Sequence, residues 1–172
     1  MRAARVLGNS QFVGVAVVMT SRGVEPPGMP DHVLVPMDYG ELARKALRRA
    51  LEDYPEADVT VLHVIDFRTS DLGPGGFGES PSAWDDWLAE AREHADELLA
   101  EAEEIATEAG RSIETDTVVG EDASHILAYV EDHDVDLVVM GSHGRSLPAR
   151  ILLGSVSETI VRRSPVPVLT VR

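Results

Sequence analysis

Leu137-Val-Val-Met-Gly-Ser-His-Gly144, followed nine residues later by Gly154-Ser-Val-Ser157, decides how this chain folds. Leu137 to Met140 is an unbroken apolar run, entered through Asp132, Asp134 and Asp136 and left through glycine. A short apolar run between turn signals reads as a buried parallel strand. The second cluster opens a helical stretch covering about Ser155 to Arg163, so a glycine-bounded loop joins a strand to a helix. Ser155 and Glu158 have capping-box spacing, which predicts Ser155 as the N-cap. Free N–H groups and the dipole at a helix N-terminus attract an anion, and Ser155 and Ser157 add hydroxyl donors. Gly141 and Gly144 let the backbone turn tightly and approach a ligand with no Cβ in the way. An isolated pair of glycines would be loop and cap residues; two clusters around a strand end and a helix start point to phosphate binding.

Outward from this stretch the chain alternates strand and helix. Val33 to Val35 reads as the first strand of the domain, Val59 to Ile65 as the second, Ile113 to Val119 as the third and Val166 to Val171 as the last. Leu42, Ala43, Ala46, Leu47, Ala50, Leu51 and Tyr54 recur at helical spacing. A loop over about 66–81 precedes a long helix, opened by the pair Ser82 and Asp85 and ended by Gly110. Ala123, Ile126, Leu127 and Val130 mark a short helix. This alternation predicts an α/β fold: right-handed crossovers and a doubly wound parallel sheet with helices on both faces. Ligands of such sheets bind beyond the carboxyl ends of the strands, where the strand order switches.

Composition narrows the function. The 172 residues suit one domain, and with no cysteine there is no disulfide, thiol nucleophile or cysteine zinc site. Thirty acidic residues face fifteen basic ones, of which only Lys45 is lysine, for a net charge of −15. That field repels nucleic acid and anionic lipid, so neither nucleic acid nor a membrane is expected as a partner. An acidic, lysine-poor surface also resembles that of proteins from salt-loving organisms, where a Debye length of roughly 3 Å in molar salt screens self-repulsion.

Residues 1–30 break from this pattern. Met1 to Val24 carries three arginines and no acid, and Pro26, Pro27, Gly28 and Pro30 follow. The apolar run Phe12 to Met19 is shorter than the ~20 residues of a bilayer span. It reads as a weak signal h-region, as a disordered extension, or as sequence upstream of a true start at Met29. The last two are favoured, because a domain begins at once at Asp31.

The string Met140-Gly-Ser-His-Gly-Arg-Ser146, continued by Ile151-Leu-Leu-Gly-Ser-Val-Ser-Glu-Thr-Ile160 and on to Pro165-Val-Pro-Val-Leu169, resembles the C-terminal signature of the universal stress proteins. The G-x2-G-x9-G-[ST] spacing of their ATP-binding subclass is met in full. Val33-Leu-Val-Pro-Met-Asp38 resembles their first strand, and Leu62-His-Val-Ile65 their second. The resemblance covers about residues 31–172. It implies a five-stranded sheet of order 3-2-1-4-5 with ATP lying across the ends of strands one and four; the net charge of −15 then calls for a divalent cation, Mg²⁺, to neutralise part of the phosphate charge. It implies further that Pro36, Met37 and Asp38 line the adenosine end and that Val64 gives backbone contacts to adenine. Met140, Gly141, His143 and Gly144 then follow the ribose and phosphates, while Gly154, Ser155, Val156 and Ser157 hold the phosphates. A cytoplasmic stress-response module is implied, commonly a homodimer paired through its last strand. Tyr39 departs from the family's small residue at its position and stands ready to stack on a ligand or crowd it.

Other patterns carry less. Gly73-Pro-Gly-Gly-Phe-Gly78 matches G-x-G-x-x-G but lacks the strand–helix junction that the dinucleotide fingerprint needs, and there is no P-loop. The six histidines lack metal-ligand spacing; His63 reads as a satisfied core histidine, His125 and His133 as solvated. Glu101, Glu103, Glu104 and Glu108 read as a solvated helix face. Asp38 is the one obvious acid near the site, so no catalytic residue is assigned. Three functions remain: an ATP-binding module with little or no turnover, a slow ATPase or phosphotransferase, and a dimeric interaction module without nucleotide.

Overall fold

The computed structural model describes residues 15–18, 29–67, 81–144 and 153–172. The elements are β1 (Val15–Val18), β2 (His32–Pro36), α1 (Glu41–Asp53), β3 (Asp58–Ile65), α2 (Pro81–Glu108), β4 (Glu114–Val119), α3 (Asp122–Asp132), β5 (Leu137–Gly141), α4 (Ser155–Arg163) and β6 (Val168–Val171). Five strands are parallel, in the order β4-β3-β2-β5-β6. Counted from β2 this is 3-2-1-4-5, the expected doubly wound α/β arrangement.

Strand alternation sorts the core into two layers. Val33 and Val35 face one side of β2, where Ala43, Ala46, Leu47 and Ala50 of α1 and Leu98, Ala102 and Ile105 of α2 cover them. Leu34 faces the other side, beneath Ile126, Leu127 and Val130 of α3 and Ile160 and Val161 of α4. Buried on both faces, the central strands need apolar residues at every position, which explains their unbroken runs.

Helix ends follow local chemistry. Pro81 begins α2, a first-turn position where its missing N–H costs nothing, so the helix starts one residue ahead of the expected opening at Ser82. Gly110, at φ +71°, ends the same helix, and the Arg111 N–H reaches back to the Ala106 carbonyl. The Arg111 side chain then donates to the carbonyls of Leu51, Tyr54 and Ala57 at the end of α1.

Three expectations change. Residues 1–30 are expected to be a disordered extension or sequence upstream of a start at Met29; within them residues 15–18 form β1, which pairs antiparallel with β6, Val15 opposite Val171 and Val18 opposite Val168. The last strand, Val168–Val171, is shorter than the expected Val166–Val171, and with β1 paired along it its outer side is not an open edge. Glu101 is not merely solvated: its carboxylate accepts from Arg44 Nε and Nη2 at 2.5 and 2.6 Å, tying α1 to α2. That bond, more than the opposing desolvation, holds the Glu101 carboxyl below its usual range. Among the described residues no helix is long and apolar enough to cross a membrane.

Candidate functional site

β2 and β5 lie side by side, and their following elements turn to opposite faces of the sheet. That divergence opens a cleft beyond the strands' carboxyl ends. A cavity of about 670 Å³ occupies it. The twelve residues singled out from the sequence all line this one cavity: Pro36, Met37 and Asp38 at and just after the end of β2; Val64 in β3; Met140, Gly141, His143 and Gly144 at and just after the end of β5; Gly154, Ser155, Val156 and Ser157 at the start of α4. Arg145 and Arg150, two cations of the loop between β5 and α4, and the Gly73–Gly78 stretch lie outside the described residues.

The apolar wall is built at Met37. Its N–H donates to the Leu62 carbonyl at 2.9 Å, and its own carbonyl lies 2.9 Å from His63 Nδ1. His63 is thus a satisfied core histidine, as expected, but it also lines the cavity. Burial pushes its pKa below the usual 6.5, opposed by the Met37 carbonyl and by nearby Asp38. Tyr39 packs its ring edge-on to His63, centroids 5.3 Å apart.

The lowered His63 pKa sets a pH dependence. Below pH 6.5 the unfolded chain takes up a proton that the folded chain resists, so this contribution to stability is full above 6.5 and is lost as pH falls towards the folded value. The thermal midpoint should therefore drop between pH 7.5 and about 5.5, and His63→Gln should flatten the drop. Parallel curves for the two proteins would exclude His63 as its source.

Gly141, the last residue of β5, is small for a reason other than ligand approach. A Cβ on Gly141 would stand 2.9 Å from Leu42 Cβ, 3.1 Å from the Leu42 carbonyl carbon and 3.3 Å from the Ala43 nitrogen. The N-terminal turn of α1 occupies that space. A Cβ on Gly144 would stand 2.5 Å from Asp38 Oδ2, while Asp38 Oδ1 accepts from the Gly40 N–H at 2.9 Å. Asp38 is thereby fixed between the start of α1 and the loop after β5. Packing against backbone demands glycine at Gly141, whereas at Gly144 a side chain would displace the Asp38 carboxylate; neither glycine has a positive φ.

The start of α4 also differs from expectation. Gly154, not Ser155, is the N-cap, in extended conformation at φ −79° and ψ 169°. Its N–H donates to the Ser142 carbonyl at 2.8 Å and to Ser157 Oγ at 2.9 Å. The Ser157 hydroxyl, buried, bonds the Ser142 carbonyl at 2.5 Å. Two groups counted as ligand donors, the Gly154 N–H and the Ser157 hydroxyl, are thus spent joining the β5 loop to α4. What remains is the first turn itself: the N–H groups of Ser155, Val156 and Ser157 have no acceptor within their own helix. Ser157→Ala should cost about 1 kcal/mol in urea unfolding, since the direct Gly154–Ser142 bond survives. No loss at all would show the hydroxyl to be idle.

Residues unmarked by sequence motif also line the cavity, among them Asp66 after β3, Ala91 and His94 of α2, and Asp122 and Ile126 of α3. Asp38 is therefore not the sole acid there. Ala91 and His94 were hidden because α2 reaches the site by tertiary packing alone. A neighbouring cavity of about 440 Å³, lined by Tyr39, His94, Glu97, Leu98 and Glu101, presents carboxylates and is poorly suited to phosphate. No group of three or more histidine or acidic side chains among the described residues is placed to hold a metal ion.

A doubly wound sheet with a glycine-bounded cleft at its switch point defines an α/β domain with one candidate ligand site. The chain belongs to the universal stress protein family, which it matches over residues 29–172. It is 32% identical over 155 residues to universal stress protein MJ0577 of Methanocaldococcus jannaschii, covering 81% of this chain and 93% of the relative. The solved structure of MJ0577 superposes with a TM-score of 0.72 at 29% identity, covering 84% of this chain and 96% of that one. A universal stress protein solved in complex with cAMP superposes with a TM-score of 0.59 at 25% identity, over 84% of this chain and 99% of its own.

Proposed function

We propose that this chain is an ATP-binding module of the stress response, with the nucleotide lying across the ends of β2 and β5. One observation carries the reading: a single cleft has an apolar wall at one end and, at the other, a helix turn whose N–H groups have no acceptor within the helix. Met37, Val64, Ile65 and Met140 offer adenine an apolar setting, and the backbone of β3 offers it hydrogen bonds. Asp38 stands at the ribose. The phosphates rest on the first-turn N–H groups of α4, where the dipole favours negative charge. The protein carries a net charge of −15, and Asp38, Asp66 and Asp122 border the cleft, so Mg²⁺ bound to the phosphates would offset the repulsion. The cAMP complex of a 25% identical protein lends support to an adenine nucleotide.

The site reads as a binding module more than an enzyme. Its buried imidazole, His63, is tied through Nδ1 to the Met37 carbonyl and packs against the Tyr39 ring, a structural placement in the cavity wall. We place the protein in the cytoplasm, give it a salt-adapted surface, and propose a homodimer through β6 whenever that strand is free to pair. Nucleotide released from the purified protein, identified by chromatography and mass spectrometry, tests the ligand. Adenine nucleotide is the expected result; a different class of small molecule would displace the reading. Steady ADP formation beyond one turnover would favour a slow ATPase.

A further inference from the structure

β6 is the last of the parallel strands, and one of its sides pairs with β5. Its other side is taken by β1, antiparallel and in full register over four residues: Val15 opposite Val171, Ala16 opposite Thr170, Val17 opposite Leu169, Val18 opposite Val168. The β6 of a second copy, related by a two-fold axis, would also arrive antiparallel and would need the same N–H and C=O groups. The two strands match in chemistry as well. β1 is Val-Ala-Val-Val and β6 is Val-Leu-Thr-Val, both four residues long and mostly β-branched.

We propose that β1 is an intramolecular competitor of self-association: while seated on β6 it excludes a second copy, and the dimer forms only when β1 leaves. This rests on the reading of β6 as the dimer strand.

Two physical arguments favour the internal strand. A tethered segment faces its target at an effective concentration of roughly millimolar, whereas a second copy arrives at the bulk concentration. Charge acts in the same direction. β1 comes from a stretch, residues 1–24, with three arginines and no acid, while a second copy brings a net charge of −15. Because both partners must release β1, its seating weakens dimerisation twice over. A roughly tenfold preference for the seated state would weaken the dimer about a hundredfold. β1 also lies ahead of the family match, which begins at residue 29.

The test uses three forms of the full chain, studied by sedimentation velocity in molar salt from about 1 to 100 μM, where self-repulsion is screened. The parent should be monomeric. The double variant Ala16→Pro with Val17→Pro removes ladder donors at consecutive positions, so one of them must face β6 whichever way the strand is pleated. It should dimerise in the same range. In the third form, Ala16→Cys with Thr170→Cys, the two cysteines stand opposite in the β1–β6 register, and the parent has none of its own. Oxidised, this form should form an intramolecular disulfide and stay monomeric throughout. Parent and proline variant both dimeric would overturn the competition and leave the β6 dimer standing. Both monomeric would overturn competition and dimer together. Failure of the disulfide to close would remove β1 from the edge and overturn the proposal, even if the proline variant did not fold.

Discussion

Gly154→Val is expected to abolish ATP binding while the chain remains folded. The fold should survive because Gly154 has an extended backbone, φ −79° and ψ 169°, which valine adopts without strain. Its N–H bonds to the Ser142 carbonyl and Ser157 Oγ do not depend on the side chain. The N-cap preference for glycine over valine costs on the order of 1 kcal/mol, within the stability of a domain of this size. Binding should fail because a branched side chain enters the cavity wall beside the N–H groups of Ser155, Val156 and Ser157. Calorimetric titration with ATP and Mg²⁺ in molar salt, with circular dichroism as the check on folding, measures both effects. A folded Gly154→Val protein that binds like the parent would move the phosphate position away from α4.

Gly141→Val should act in the opposite way, on the fold first. The atoms that a Cβ would meet include the carbonyl carbon of Leu42 and the nitrogen of Ala43, and backbone at the start of a helix cannot swing aside as a side chain can. Overpacking against adaptable side chains typically costs about 1–3 kcal/mol. Here α1 itself must shift from β5, so a loss above about 3 kcal/mol in urea unfolding is expected. The shift would carry Asp38 and Tyr39, which lead into α1, and loosen the cleft as well. A loss below about 1 kcal/mol would mean that α1 does not press on Gly141 as described.

The two glycine substitutions show how far the sequence could be read. Strands β2 to β6 and the four helices followed from apolar runs and helical spacing, because a sheet covered on both faces demands those patterns. The cleft followed from the glycine spacing, and all twelve residues drawn from it line one cavity. The reason for two of those glycines did not follow. Leu42, Ala43 and Asp38 fill the space that seemed reserved for a ligand, and that proximity between β5 and α1 depends on tertiary packing. Ser157 was misread for a similar reason. Its acceptor, the Ser142 carbonyl, lies fifteen residues back, across a loop whose path no local pattern reports. β1 was the largest miss. Its apolar run was visible, but its partner strand lies at the far end of the chain, and nothing local distinguishes a strand with a distant partner from an unstructured tail.

Calorimetric titration of the unmodified protein with ATP and Mg²⁺ in molar salt bears most directly on the central claim, which is that the cleft between β2 and β5 holds an adenine nucleotide. One nucleotide per chain should bind, saturating well below millimolar ATP. If folded protein, freed of any nucleotide carried through purification, takes up none at millimolar ATP, the claim is wrong and the chain is better understood as an interaction module built on the same fold.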